Sequence, residues 1–113
     1  MKINNVKELF EIIKKGEEFI ADFQKGYARL LVEVGDGFCG SHLGANFSSA
    51  LIKIRLRKIS GETLLSLNDD MMRSAEISAR IDVEKAYMIE GQDRMIIPVV
   101  KMEGVYLDVS LGS

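Results

Sequence analysis

The residues most suggestive of ligand binding form a glycine-rich segment near the middle of the chain. Gly35, Gly37 and Gly40 match the spacing G-x-G-x-x-G directly after a predicted strand. A dinucleotide site with this motif also needs a following helix whose N-terminus faces the pyrophosphate. Glycine, asparagine and serines in 41–49 break such a helix. We therefore interpret 35–44 as a loop, whose successive backbone N–H groups could bind a small anion.

A cationic strand follows this loop. Residues 53–58 carry four positive charges, Lys53, Arg55, Arg57 and Lys58, and no acid occurs between 37 and 61. A strand would project the first three from one face, about 7 Å apart. They could pair with acids on neighbouring strands as an ordinary charged surface. Alternatively, together with the glycine-rich loop, they could bind a small anionic ligand such as a nucleotide.

Cys39 and His42 are the only cysteine and histidine of the chain, and both fall in the glycine-rich loop. A nearby imidazole can lower the pKa of a thiol and activate it as a nucleophile. They are therefore the candidate catalytic residues of a cysteine-dependent enzyme. The alternative is a small structural cysteine and a loop histidine. Two such ligands cannot complete a tetrahedral zinc site by themselves, so we predict no metal and no cofactor.

Methionine is frequent, with six residues in the chain. Methionine fills irregular gaps in cores and also serves adaptable interfaces. The candidate interface residues are Met71, Met72, Met95 and Ile97, near the C-terminal strands. Core filling is the alternative role.

The last strand contains a partial motif. Asp108-Val109-Ser110-Leu111-Gly112 resembles the start of the D-x-S-x-x-G element of cyclic-di-GMP-binding PilZ domains. Ser113 stands where the last glycine belongs, and the chain contains no Arg-x-x-x-Arg. We assign no family on this basis.

The pattern of apolar residues predicts one helix followed by strands. Residues 5–15 have helical periodicity, with Asn5 as N-cap and Gly16 as the stop. We interpret 17–25 as a continuing or kinked helix, although alternation there also fits a strand. A turn or short helix is expected over 69–75. Strands are predicted at 28–34, 50–59, 62–67, 76–83, 86–90, 94–102 and 105–111, the last three forming an antiparallel meander.

These elements predict the α+β class: an N-terminal helix packed on a curled, mostly antiparallel sheet of six or seven short strands, or plugging a small barrel. A chain of 113 residues with 47% hydrophobic and 28% charged residues is ordinary for one globular domain, here 1–113. An open sheet would leave one face uncovered, which favours self-association.

Composition limits the function classes. The net charge of −2 and the few aromatic residues do not favour nucleic-acid binding. The N-terminus does not resemble a secretory signal, no apolar run is long enough to span a bilayer, and the lone cysteine fits a reducing compartment, so we expect a cytoplasmic protein. The preferred hypothesis is a small non-enzymatic interaction protein, homo-oligomeric, that binds a protein partner as a bacterial or phage accessory factor of the inhibitor, immunity or assembly type.

Overall fold

A computed structural model describes residues 2–34, 37–39, 46–69 and 76–111. It contains one α-helix, one 3₁₀ turn (Val83–Lys85) and an antiparallel sheet of eight strands. The elements are α1 (Val6–Lys15), β1 (Phe19–Val34), β2 (Gly37–Cys39), β3 (Asn46–Ile59), β4 (Glu62–Asp69), β5 (Glu76–Ile81), β6 (Tyr87–Met88), β7 (Arg94–Pro98) and β8 (Val105–Leu111). The predicted α+β class with a curled antiparallel sheet is confirmed.

Helix α1 begins and ends as its sequence predicts. The Asn5 side chain accepts a hydrogen bond from the backbone N–H of Glu8, and Gly16 ends the helix in the left-handed region at φ 72°. The buried residues Val6, Leu9 and Ile13 form its apolar stripe. At its C-terminal end, Lys14 Nζ donates to the carbonyl oxygens of Val83 and Glu84, which fixes the helix against the 3₁₀ turn.

The interpretation of 17–25 as helix was wrong, because strand β1 begins at Phe19 and runs for 16 residues. Gly16 ends the helix. The chain then continues as a strand, and the side chains of Ala21 and Phe23 are buried in the core. Strand β1 pairs with β3 on one side and β8 on the other. Within 17–25, pairing with β3 and a backbone bond from Ile3 to the Asp22 carbonyl therefore outweigh the local preference for a helix.

The strands follow the order β5-β4-β3-β1-β8-β7-β6, and β2 pairs with β1. The meander β6–β7–β8 is confirmed. Ser60 and Gly61 join β3 to β4 with both φ values positive, which suits a tight hairpin turn. At the far end of β5, the Asp82 N–H donates to the Pro98 carbonyl at 3.0 Å. The sheet thus curls until its two ends touch.

Two predicted irregular regions contain strand. The predicted loop over 35–44 includes β2, and β3 begins at Asn46, four residues before the predicted strand over 50–59. Asp69 ends β4, and the rest of the predicted turn at 69–75 lies outside the described residues. A strand of three residues such as β2 carries little alternating pattern, so sequence periodicity does not reveal it.

The core lies between α1 and the inner face of the sheet. It includes Phe23, Ile54, Leu67 and Leu107. Strand β7 is buried on both faces, since Ile96 points away from this core and is nevertheless fully buried. Pro98 is the last residue of β7, where its missing N–H costs no ladder bond while its carbonyl accepts from Asp82.

Candidate functional site

The glycine-rich loop is described only over strand β2. Gly37 pairs with Val34 and Cys39 pairs with Val32 on β1. Gly35, Gly40 and His42 lie outside the described residues. The proposed catalytic pair of Cys39 and His42 therefore stays a prediction.

The cationic strand lies on the outer face of β3, where Lys53 and Arg55 are exposed. Among the described residues, no ion pair reaches Lys53, Arg55 or Arg57. Glu62, an acid on the neighbouring strand β4, contacts Arg80 instead. The Arg57 Nε is buried, and no described acceptor lies within hydrogen-bond distance of it.

The structure does not bring the described part of the glycine-rich loop to the cationic strand. Gly37 pairs with Val34 at one end of β1, whereas Arg55 pairs with Ile20 at the other end. A single site formed by Gly37 and Arg55 is therefore not supported by their positions.

The methionine interface is corrected in part. Met95 and Ile97 are both fully buried in the chain's own core, so neither contributes to an exposed surface. Met71 and Met72 lie outside the described residues. Met95, Ile96 and Ile97 are consecutive apolar residues, so the sequence of β7 does not tell which of its faces the rest of the chain already covers.

A different polar site lies on the outer face of β1, β8 and β7. The strand registers place three rows side by side: Tyr27, Ser110 and Arg94; then Arg29, Asp108, Ile96 and Tyr87; then Leu31, Tyr106 and Pro98. All three tyrosines of the chain belong to these rows. We call the group of Tyr27, Arg29, Tyr87, Arg94 and Tyr106 around Asp108 the tyrosine–arginine face.

Asp108 is the centre of this face and is fully buried. Its Oδ2 accepts a hydrogen bond from Arg29 Nε and its Oδ1 accepts one from Arg94 Nε, each at 2.7 Å. The Tyr27 hydroxyl lies 3.5 Å from Oδ2, and the Arg29 guanidinium lies 5.4 Å from the centre of the Tyr27 ring. One carboxylate thus orients two guanidinium groups, and the three groups together carry a charge of +1.

Protonation at this face follows from the same contacts. The hydrogen bond to Asp108 is the main cause that raises the pKa of Arg94 above its ordinary value, so this guanidinium stays charged. Burial raises the pKa of Tyr106, and the charge of Glu33 raises it further. The Tyr106 hydroxyl donates to Glu33 Oε2 at 3.2 Å, which holds its ring at the edge of the face.

Sequence reasoning missed this site because its members meet only through strand pairing. Alternation along β8 correctly separates Asp108 from Leu107 and Val109, and that pattern usually means a solvent-facing carboxylate. The only sequence signal for a buried carboxylate was an acid in β8, which lies in the sheet between the apolar-rich strands β1 and β7. Its partners Arg29 and Arg94 could be identified only once the registers were known.

No group of three or more His, Cys, Asp or Glu side chains that could hold a metal ion occurs within 2–34, 37–39, 46–69 and 76–111. Over the same ranges, no helix has the length and apolar character needed to cross a membrane. Comparisons with family models, curated proteins and solved structures found no match to this chain.

Proposed function

We propose that the protein is a non-enzymatic binding protein that self-associates and contacts a protein partner through the tyrosine–arginine face. The observation that supports this proposal is the burial of Asp108 beneath two oriented arginines and a tyrosine. Tyrosine and arginine are among the residues most enriched at interface hot spots. Tyr87, at the edge of the same face, leaves 43% of its surface exposed. A cytoplasmic location belongs to the same proposal.

Asp108 would serve binding by holding the arginines in place. Each guanidinium bonds Asp108 through Nε, and an arginine has four further N–H donors on its two Nη atoms. Side chains that are already ordered lose less conformational entropy when a partner binds. The buried carboxylate therefore prepares two donors for an acceptor on the partner, such as a carboxylate.

A second copy of this chain is the partner that the charges favour. Arg94 lies in the first row of the face and Arg29 in the central row, while Glu33 of β1 contacts Tyr106 of the third row. In a two-fold dimer the same patch meets itself, so the arginines of one copy could contact Glu33 of the other. Opposite charges within one patch make such a self-contact electrostatically complementary.

Sedimentation velocity over a hundredfold range of protein concentration tests this proposal. We expect the wild type to dimerise and Tyr87→Ala to raise the dimer Kd about 900-fold, because a two-fold dimer loses two hot spots of about 2 kcal/mol each. Ile20→Ala is the matched control, because Ile20 is 54% exposed on β1 away from this face. A wild type that stays monomeric throughout, or an Ile20→Ala effect equal to that of Tyr87→Ala, would contradict the proposal.

A small anionic ligand at the cationic strand is the second candidate function. Its support is the buried Arg57 Nε in a cavity of about 270 Å³ that Arg55 also lines; Glu18 lies in the same lining, but its Oε2 accepts a hydrogen bond from the Lys58 backbone N–H. Nucleotides and inorganic phosphate should then raise the melting temperature, and Arg55→Glu should abolish the rise while Lys7→Glu on the helix leaves it intact. If none of these anions shifts the melting temperature, the candidate fails.

A further inference from the structure

A larger cleft opens where the two ends of the curled sheet meet. Its volume is about 580 Å³, within the range of small-molecule sites. Its walls are mainly apolar: Leu30, Ile59, Leu64, Val99, Met102 and Val105. Ile59 and Met102 are two of the most exposed large apolar side chains among the described residues.

The cleft exists because the chain leaves the sheet just after β7. The Val100 N–H still donates to the Arg80 carbonyl at 2.8 Å, but Lys101 then adopts the left-handed region at φ 63°. The turn that follows carries Met102 away from β5. Among the described residues, the segment after β7 is hydrogen-bonded to β5 only at the C-terminal end of β5, around Ile81. Beyond this point the two segments diverge.

Three charged side chains surround the mouth of the cleft. Arg80 Nε lies 3.1 Å and Lys101 Nζ lies 3.9 Å from the oxygens of Glu62. Two cations thus lie beside one carboxylate, and the mouth has a net charge of +1, although among the described residues no hydrogen bond reaches the buried Glu62 Oε2. The contact of Lys101 is at the distance limit of an ion pair, and its side chain is 79% exposed. It can turn to a second carboxylate at little cost, because exposed ion pairs are weak.

From an apolar cleft beneath a mouth of charge +1, we infer that this protein binds a monocarboxylate with an unbranched apolar body, such as a medium-chain fatty acid. The apolar body would lie against Leu64 and Val105, and the carboxylate would lie between Arg80 and Lys101. A cationic head group would meet the two cations instead, and a neutral one would gain no charge contact. This site is separate from the tyrosine–arginine face and does not depend on its role.

Calorimetric titration of the full chain with octanoate, nonanoate, decanoate and decanol tests the inference. Each additional buried methylene should tighten binding about fourfold, the value for burial of one CH₂. Decanoate should bind about fivefold more tightly than decanol, as expected for one partly exposed charge contact. An affinity independent of chain length, or equal affinities for decanoate and decanol, would overturn the inference.

Three variants locate the site. Lys101→Gln should weaken decanoate binding about fivefold, and Met102→Glu should abolish it by placing a negative charge on the apolar wall. Lys7→Gln removes one exposed lysine from the helix and should leave binding unchanged. Lys101 and Met102 are both exposed, so their variants should keep the wild-type melting temperature. A folded Met102→Glu that binds decanoate normally overturns the inference. It is also overturned if decanoate does not bind and Met102→Glu instead alters the sedimentation of the protein, since the cleft would then be a contact between copies.

Discussion

Replacing Asp108 with asparagine removes one charge from the centre of the tyrosine–arginine face without changing the size of the side chain. The carboxylate accepts one hydrogen bond at each oxygen, from Arg29 and from Arg94. An asparagine keeps one acceptor oxygen, while its NH₂ group must face the other arginine's N–H. One hydrogen bond is therefore lost, and the other no longer has a charged acceptor.

The structure allows the size of this effect to be worked out. Hydrogen bonds to charged groups contribute about 1.5–3 kcal/mol each. The side chains of Arg29 and Arg94 are 33% and 20% exposed, so both can regain water once Asp108 is neutral. We therefore expect the lower part of the combined range, a loss of about 3 kcal/mol in the free energy of unfolding. For a chain of this length that corresponds to a melting temperature about 12 °C lower.

Urea unfolding followed by circular dichroism, at one fixed protein concentration, measures this loss. Glu62→Gln is the matched control, because it makes the same chemical change in a more exposed ion pair and should cost less than about 1 kcal/mol. A loss below about 1 kcal/mol for Asp108→Asn would refute the assigned role of the buried carboxylate.

An apolar replacement of the whole cluster separates stability from binding. Breaking one member of a buried ionic group is costly, but replacing all members with apolar residues is often neutral or stabilising. The triple variant Asp108→Leu, Arg29→Met and Arg94→Met should therefore be more stable than Asp108→Asn. It should nevertheless fail to self-associate, because the proposed donors are gone.

Three further predictions concern single positions. Gly26→Ala should cost about 2 kcal/mol or more by urea unfolding, because the added Cβ would lie 2.7 Å from the Ser110 carbonyl oxygen; wild-type stability would mean that the two strands can separate there. The pKa of Tyr106 is raised above 10.0, so the stability that its neutral hydroxyl contributes is present below pH 10.0 and is lost as the pH rises through the folded-state pKa. Tyr106→Phe should make the alkaline loss of stability shallower, and an unchanged pH profile would show that the contact with Glu33 has no influence. Asn5→Ala removes the N-cap of α1 and should lower the free energy of unfolding by about 1 kcal/mol, whereas an unchanged value would mean that packing alone sets the helix start.

Local signals predicted much of the fold. Asn5 and Gly16 mark the ends of α1, and the alternation of Ile77, Ala79 and Ile81 places them on the buried face of β5. The hairpin at Ser60 follows from a turn whose residues tolerate positive φ. These features depend on residues close in sequence, so periodicity and turn chemistry are sufficient to predict them.

The segment 17–25 and the candidate site could not be predicted in this way. Phe19 and Phe23 satisfy a helical spacing and an alternating one equally, so local pattern alone does not choose between them. Likewise, the burial of Asp108 depends on arginines from two other strands. Arg29 is 79 residues away along the chain and reaches it only through the pairing of β1 with β8.

By itself, the sequence determined the class of fold, the ends of the helix and the inner and outer face of most strands. Those properties are encoded by backbone preferences and by the period of apolar residues within each segment. The tertiary structure decided which strands are neighbours, in which register, and where the curled sheet leaves a cleft. Registers between distant strands are set by the free energy of the whole core and not by any one segment. For that reason the Asp108 cluster and the cleft beside Lys101 emerged only from the folded chain.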